Sequence, residues 1–165
     1  MPNGRKRPSW DEYFLALAFT VSSRSKDEET SHGCIITDKK NTILGTGYNG
    51  PIKQINDDLI PKKRPFKYNF FLHSESNAIF NCKVLPKDCG GGKAYITGKC
   101  CNHCFQSLLQ IGVDEFYMAK RQGTRLENDA SDKIFNFLVD NTKVKIQYID
   151  VNFEWLIGFL NDIKV

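Results

Sequence analysis

With 165 residues, 41% of them hydrophobic and 25% charged, the chain holds enough apolar side chains for one compact core, and fibrous, disordered and two-domain readings are excluded. The formal net charge of +4 is a mild excess, suited to a ligand carrying a phosphate and short of a wholesale grip on a nucleic-acid backbone. No apolar run approaches the roughly 18–20 residues that cross a bilayer, and Met1 to Pro8 lacks the apolar segment of a secretory signal, so a cytoplasmic protein with no membrane partner is expected.

Residues 1–8 read as a flexible N-terminus of a single domain over 1–165. Ser9-Trp10-Asp11-Glu12 has the form of a capping box, and Tyr13, Phe14, Leu17, Ala18 and Val21 follow at helical spacing to about Ser22 or Ser23. Cys34 to Thr37 and Thr42 to Tyr48 read as strands of a hairpin joined by the polar turn Asp38-Lys39-Lys40-Asn41. From Asn49 to Leu72 the chain carries Pro51, Pro61 and Pro65 with no sustained period, which predicts a long loop over a site.

Helical character resumes from His73 to about Asn81, then a short strand over Lys93–Thr97, a helix over Cys101–Ile111 and a strand over Glu115–Ala119. A helix over Ser131–Val139, a strand over Val144–Ile149 and a terminal helix over Phe153–Leu160 complete the chain. A hairpin followed by alternating helices and strands predicts an α/β fold with a mixed sheet and helices on both faces.

Six cysteines, three of them crowded into Cys100, Cys101 and Cys104, suggest metal chemistry more than a disulfide frame in a chain read as cytosolic. His73-Ser74-Glu75 and Cys101-Asn102-His103-Cys104 each stand at the start of a predicted helix. One imidazole and two thiolates suit zinc (Zn2+), and three protein ligands leave a tetrahedral position open, as in catalytic sites. A helix N-terminus favours the thiolate form of Cys101 and Cys104. Glu75, two residues past the first candidate ligand, is placed to move protons.

H-x-E followed by P-C-x-x-C is the pattern of zinc nucleobase deaminases, met here except at the proline. Together with Trp10-Asp11-Glu12-Tyr13-Phe14, Arg24-Ser25-Lys26-Asp27, Gly47-Tyr48-Asn49-Gly50, Asp57-Asp58, Lys67-Tyr68 and Asn77-Ala78-Ile79, it resembles the deoxycytidylate deaminases over roughly Trp10 to Phe135. The resemblance implies a three-layer α/β/α cytidine-deaminase-like fold with a central mixed sheet of about five strands, assembled as a homo-oligomer. It implies zinc on His73, Cys101 and Cys104, and hydrolysis of dCMP to dUMP with release of ammonia by a zinc-bound hydroxide, Glu75 acting as proton shuttle. It further implies Asn49 on the deoxyribose, the Ser74 amide on the base, and Arg24, Ser25 and Lys26 near the phosphate; Arg121 is a further phosphate candidate on charge and position.

The chain departs from that pattern in places. Ser74 stands where the family has Ala, Cys100 replaces the proline before the first metal cysteine, and His103 occupies a frequently acidic position. His32, in Ser31-His32-Gly33-Cys34, is a candidate for contact with a phosphate or regulator. The run 51–56 lacks the family's usual glycine and Gln122 replaces a common tyrosine, departures that argue against the nucleoside-triphosphate control known in part of the family. Competing readings are the same chemistry on dCTP, a free nucleoside or a ring-modified cytosine nucleotide, an editor of single-stranded nucleic acid, and a non-catalytic zinc module. A structural zinc completed by Cys100, His103, Cys82 or Cys89 would remove the open position.

Overall fold

The computed structural model describes residues 7–120 and 130–163. Helix α1 (Trp10–Ser22) starts where the capping box places it: Ser9 Oγ accepts the Glu12 amide at 3.2 Å, and Glu12 Oε2 accepts the Ser9 amide at 2.7 Å. Strands β1 (Gly33–Asp38) and β2 (Ile43–Tyr48) form the expected antiparallel hairpin, with Asn41 at φ 69° in its turn. The long loop is not featureless. Two two-residue strands, β3 (Gly50–Pro51) and β4 (Phe71–Leu72), pair at its base and close it into a flap, a contact between residues too far apart in sequence for any local pattern to announce.

The remainder alternates as the periodicity requires: α2 (Ser74–Asn81), β5 (Gly92–Ile96), α3 (Asn102–Gln110), β6 (Val113–Ala119), α4 (Ala130–Asp140), β7 (Lys145–Ile149) and α5 (Glu154–Asp162). The five long strands form one sheet in the order β2-β1-β5-β6-β7. It is mixed: β1 is antiparallel to both β2 and β5, whereas β5, β6 and β7 run parallel. Parallel neighbours need a crossover, which α3 and α4 provide.

Successive residues of a strand face opposite ways, and the core divides accordingly. Ile36, Ala94, Ile96, Phe116 and Met118 meet Phe105 and Leu108 of α3 and Phe135 of α4 on one face. Ile35, Tyr95 and Tyr117 meet Phe14, Leu15 and Ala18 of α1 on the other. At about 1.5–3 kcal/mol for each large side chain removed from water, these contacts fix α3 and α1 on the sheet. Helix α5 buries no residue completely; Phe153, just ahead of it, packs edge-on against Phe19 with ring centroids 5.1 Å apart. No described helix is long and apolar enough to cross a membrane.

Helix α2 reaches the sheet without a cushion of side chains. A Cβ on Gly47 would lie 2.2 Å from the Ala78 nitrogen and 2.3 Å from the Ser74 carbonyl oxygen, and one on Gly45 would lie 2.5 Å from the Ala78 carbonyl oxygen. Only glycine allows this approach. The side-chain Nδ2 groups of Asn77 and Asn81 then donate to the Tyr48 and Thr46 carbonyls at 2.8 Å, fixing the helix lengthwise along β2. The N-terminus of α2 is thereby set in place.

Candidate active site

The N-termini of α2 and α3 converge. His73 is the N-cap of α2, and Cys101 is the N-cap of α3, its sulfur accepting the Cys104 amide at 3.4 Å. His73 Nδ1 lies 3.4 Å from Cys101 Sγ and 3.5 Å from Cys104 Sγ. In a tetrahedral zinc site the edge between a nitrogen and a sulfur ligand is about 3.6 Å, so these side chains fit such an ion with little rearrangement. Among the described residues this is the one group of three or more His, Cys, Asp or Glu side chains whose ligand atoms all lie within 4.8 Å of one another. None of Cys82, Cys89, Cys100 or His103 joins it. The Cys100 thiol turns away and donates to the Cys101 carbonyl at 3.2 Å, and the Cys82 thiol donates to the Ala78 carbonyl at 3.4 Å.

Electrostatics favours ionisation of Cys101 within this group. Hydrogen bonds from the Cys104 thiol, the His73 ring and the Cys104 amide outweigh burial and pull the Cys101 thiol well below its ordinary value. The Cys104 thiol, which supplies the first of those hydrogens, is pushed up. Ser76 Oγ lies 3.9 Å from Cys104 Sγ. Glu75 is buried beside the group, and burial pushes its carboxyl up despite the opposing effect of His73. Ser74 Oγ donates to Glu75 Oε2 at 2.8 Å.

His73, Ser74, Glu75 and Cys101 line a cavity of about 590 Å³. Asn49, His32, Asp27 and Lys67 form a second part of its wall, with Tyr68, Phe71 and Leu72 contributed by the far end of the flap. A concave site of this size, with a few polar groups converging on it, suits a small organic ligand.

A model of the cytidine and deoxycytidylate deaminase zinc-binding region matches residues 8–120. The chain belongs to the cytidine and deoxycytidylate deaminase family. Deoxycytidylate deaminase of Homo sapiens is 32% identical over 158 residues, covering 87% of this chain and 88% of its own length. The deoxycytidylate deaminase of Mycobacterium phage D29 is 28% identical over 127 residues, 69% of this chain and 97% of its own. The crystal structure of dCMP deaminase from the cyanophage S-TIM5 superposes with a TM-score of 0.62 at 20% identity, covering 87% of this chain and all of that one, so the deaminase fold is shared.

The remaining candidates of this deaminase chain fall in different places. Ser25 Oγ donates to the Asn49 carbonyl at 2.8 Å and so braces the cavity wall from behind. Arg24 is exposed and does not line the cavity, and exposed Lys26 is paired with Asp57. Arg121 lies outside the described residues. His32 lines the cavity, its Nδ1 3.4 Å from Thr97 Oγ1.

Several cavity residues carried no assigned role in the sequence. Lys99 and Lys120, at the carboxyl ends of β5 and β6, line it, as do Asp132 of α4 and Tyr148 of β7. The position after a parallel strand is the signal that finds Lys99 and Lys120, because ligands of open α/β sheets sit outside the carboxyl ends of the strands. Lys99 is paired with Asp132 at 3.0 Å and its ammonium lies 5.0 Å from the Phe135 ring centroid.

Proposed function

We propose that this enzyme hydrolyses dCMP, adding water and releasing ammonia to leave dUMP. The observation that carries the proposal is the juxtaposition of the His73, Cys101 and Cys104 ligand atoms with the buried Glu75 carboxyl at the cavity wall. The choice of dCMP over other cytosine compounds is supported by the named activity of the relatives, among them the human protein that aligns with most of the chain.

His73 Nδ1 and the sulfurs of Cys101 and Cys104 would hold a zinc ion. A zinc ion bound there would supply Lewis acidity, lowering the pKa of a water toward neutrality so that it attacks C4 of the cytosine ring. Glu75 takes one proton of that water and delivers it to N3, then takes the water's second proton from the new oxygen on C4 and passes it to the departing amine, acting in turn as base and acid. Burial assists this carboxyl in holding a proton between transfers, because it disfavours the charged form. The Ser74 hydroxyl holds one carboxyl oxygen and limits rotation of the side chain. Asn49 faces the sugar, and Arg64, Lys99 and Lys120 are the cavity-lining cations that a phosphate would draw from their present partners Glu29, Asp132 and Asp150.

Ammonia release by the zinc-loaded protein, measured across dCMP, dCTP and deoxycytidine, tests the proposal. The expected result is the highest kcat/KM with dCMP. No turnover of any of them by fully loaded protein would overturn it, and a preference for the triphosphate or the nucleoside would replace the substrate.

A further inference from the structure

A lysine ammonium removed from water needs anionic partners, since an uncompensated buried charge costs several kcal/mol. Lys67, with 2% of its side chain exposed, has them at the cavity wall. Its Nζ donates to Asp27 Oδ1 at 2.7 Å and Oδ2 at 2.9 Å, and lies 3.0 Å from Glu29 Oε2. Asp27 is equally enclosed, at 4% exposure. Burial alone would raise its carboxyl, but the Lys67 hydrogen bonds and the amides of Glu29 and Thr30 hold it below the usual carboxylate range, so it remains an acceptor only.

Asp27 Oδ2 also accepts from Asn49 Nδ2 at 3.1 Å, and the same nitrogen donates to the Thr30 carbonyl at 2.9 Å. At its other end the Asn49 amide accepts the His32 backbone N–H at 2.7 Å. Turning the amide over would set its oxygen against a carboxylate and a carbonyl, and its NH2 against an N–H. Both Asn49 amide hydrogens are therefore consumed, and Oδ1 keeps one lone pair. Whatever polar group of a ligand meets Asn49 must donate to it.

We propose that Lys67 is a positioning residue: through Asp27, and together with the Thr30 carbonyl and the His32 N–H, it holds Asn49 as a pure acceptor, so that the site takes a sugar hydroxyl at this point and rejects a phosphate or ether oxygen. The proposal rests on the reading of the chain as a dCMP deaminase. In dCMP the only sugar hydroxyl is the 3′-hydroxyl, which makes it the group read by Asn49. Lys67 acts 40 residues along the chain from Asp27 and without touching the ligand through this route.

The test is the ratio of kcat/KM for dCMP to that for 2′,3′-dideoxycytidine 5′-monophosphate, in the zinc-loaded wild type and in the double variant Asp27→Asn/Lys67→Met. The double variant removes both charges together, so no buried ion is left alone, and Asn at 27 can present either end of its amide to Asn49. Loss of the hydroxyl is expected to lower kcat/KM about ten- to a hundredfold in the wild type. In the variant the Thr30 carbonyl and the His32 N–H still hold Asn49 while its link to a carboxylate at residue 27 is lost, so the penalty should shrink by about two- to fivefold, whereas a merely structural role would lower both substrates alike and leave the ratio intact. Asp27→Asn alone, in which Glu29 still faces Lys67, carries the same comparison if the double variant is insoluble. An unchanged ratio in the soluble variant, or no hydroxyl penalty in the wild type, overturns the positioning role while the deaminase reading stands. Absence of wild-type turnover on dCMP overturns both.

Discussion

Ser74 Oγ and Glu75 Oε2 lie 2.8 Å apart in the first turn of α2, a hydrogen bond between sequence neighbours at the wall of the cavity. Glu75→Gln keeps the size of the side chain and removes its capacity to relay protons. Turnover should drop about 10²–10⁴-fold while one zinc per chain is retained. Ser74→Ala removes a single hydrogen bond and should lower kcat only about two- to tenfold. Steady-state kinetics with metal analysis separates the two, and full activity in Glu75→Gln would remove the carboxyl from its role.

The metal ligands should behave as a unit. Cys101→Ala or Cys104→Ala, each losing one of three contacts, should reduce bound zinc to a small fraction of one per chain and abolish activity. Chelation of the wild type should lower its melting temperature, because an ion that binds only the folded chain stabilises it by mass action, about 4 kcal/mol at a thousandfold excess over Kd. Atomic emission and thermal unfolding provide the readouts. Retention of zinc by Cys104→Ala would point to a different ligand set.

Gly47→Ala puts a methyl group against the backbone of α2, where no side chain can swing aside. The strain should cost about 1–3 kcal/mol or more, and it falls on the turn that carries Ser74, next to His73 and Glu75. Denaturant unfolding should show the loss of stability, and zinc affinity should fall with it. A variant with unchanged stability and unchanged zinc binding would mean that the contact yields more easily than its distances imply.

Acid stability should depend on Glu115. Burial would raise its carboxyl, but hydrogen bonds from Lys39 and Tyr117 and the charges of Lys39 and Lys145 outweigh it and hold the group at about 2, below its ordinary 4.5. A depressed folded-state value means that the unfolded chain takes up the proton first. The stabilisation is therefore complete above about pH 4.5 and is lost as pH falls toward 2. Glu115→Gln should be less stable than the wild type by on the order of 2 kcal/mol at pH 7 and indistinguishable from it near pH 2. Urea unfolding at a series of pH values decides this; a gap between the proteins that stays constant with pH would refute it.

Local signals were sufficient for most of the architecture. The Ser9–Glu12 box marks the start of α1, and the helix-opening motifs at His73 and Cys101 coincide with two N-caps, because capping and apolar period act within a few residues. The same motifs announced the His-Cys-Cys group. The β3–β4 ribbon and the pairing of Lys67 with Asp27 were not legible, since each joins segments separated by a loop whose path depends on tertiary packing. Lys26 illustrates the converse: its motif placed it near a ligand, and the fold pairs it with Asp57 on the surface. A basic side chain in a motif carries no information about which way the backbone turns it.

The register across the sheet separates two kinds of tolerance to change. Thr37, Lys93, Glu115 and Lys145 stand side by side across one end of the strands, while Cys34, Ile96, Met118 and Tyr148 stand abreast nearer the other, where the cavity begins. The rows are three residues apart along each strand, about 10 Å. Charges in the first row can be exchanged to adjust durability in acid or heat without reaching the cavity, which Tyr148, Ala119 and Lys120 line at the other margin, and selectivity can drift at those residues while the lysine–glutamate lattice keeps the strands aligned.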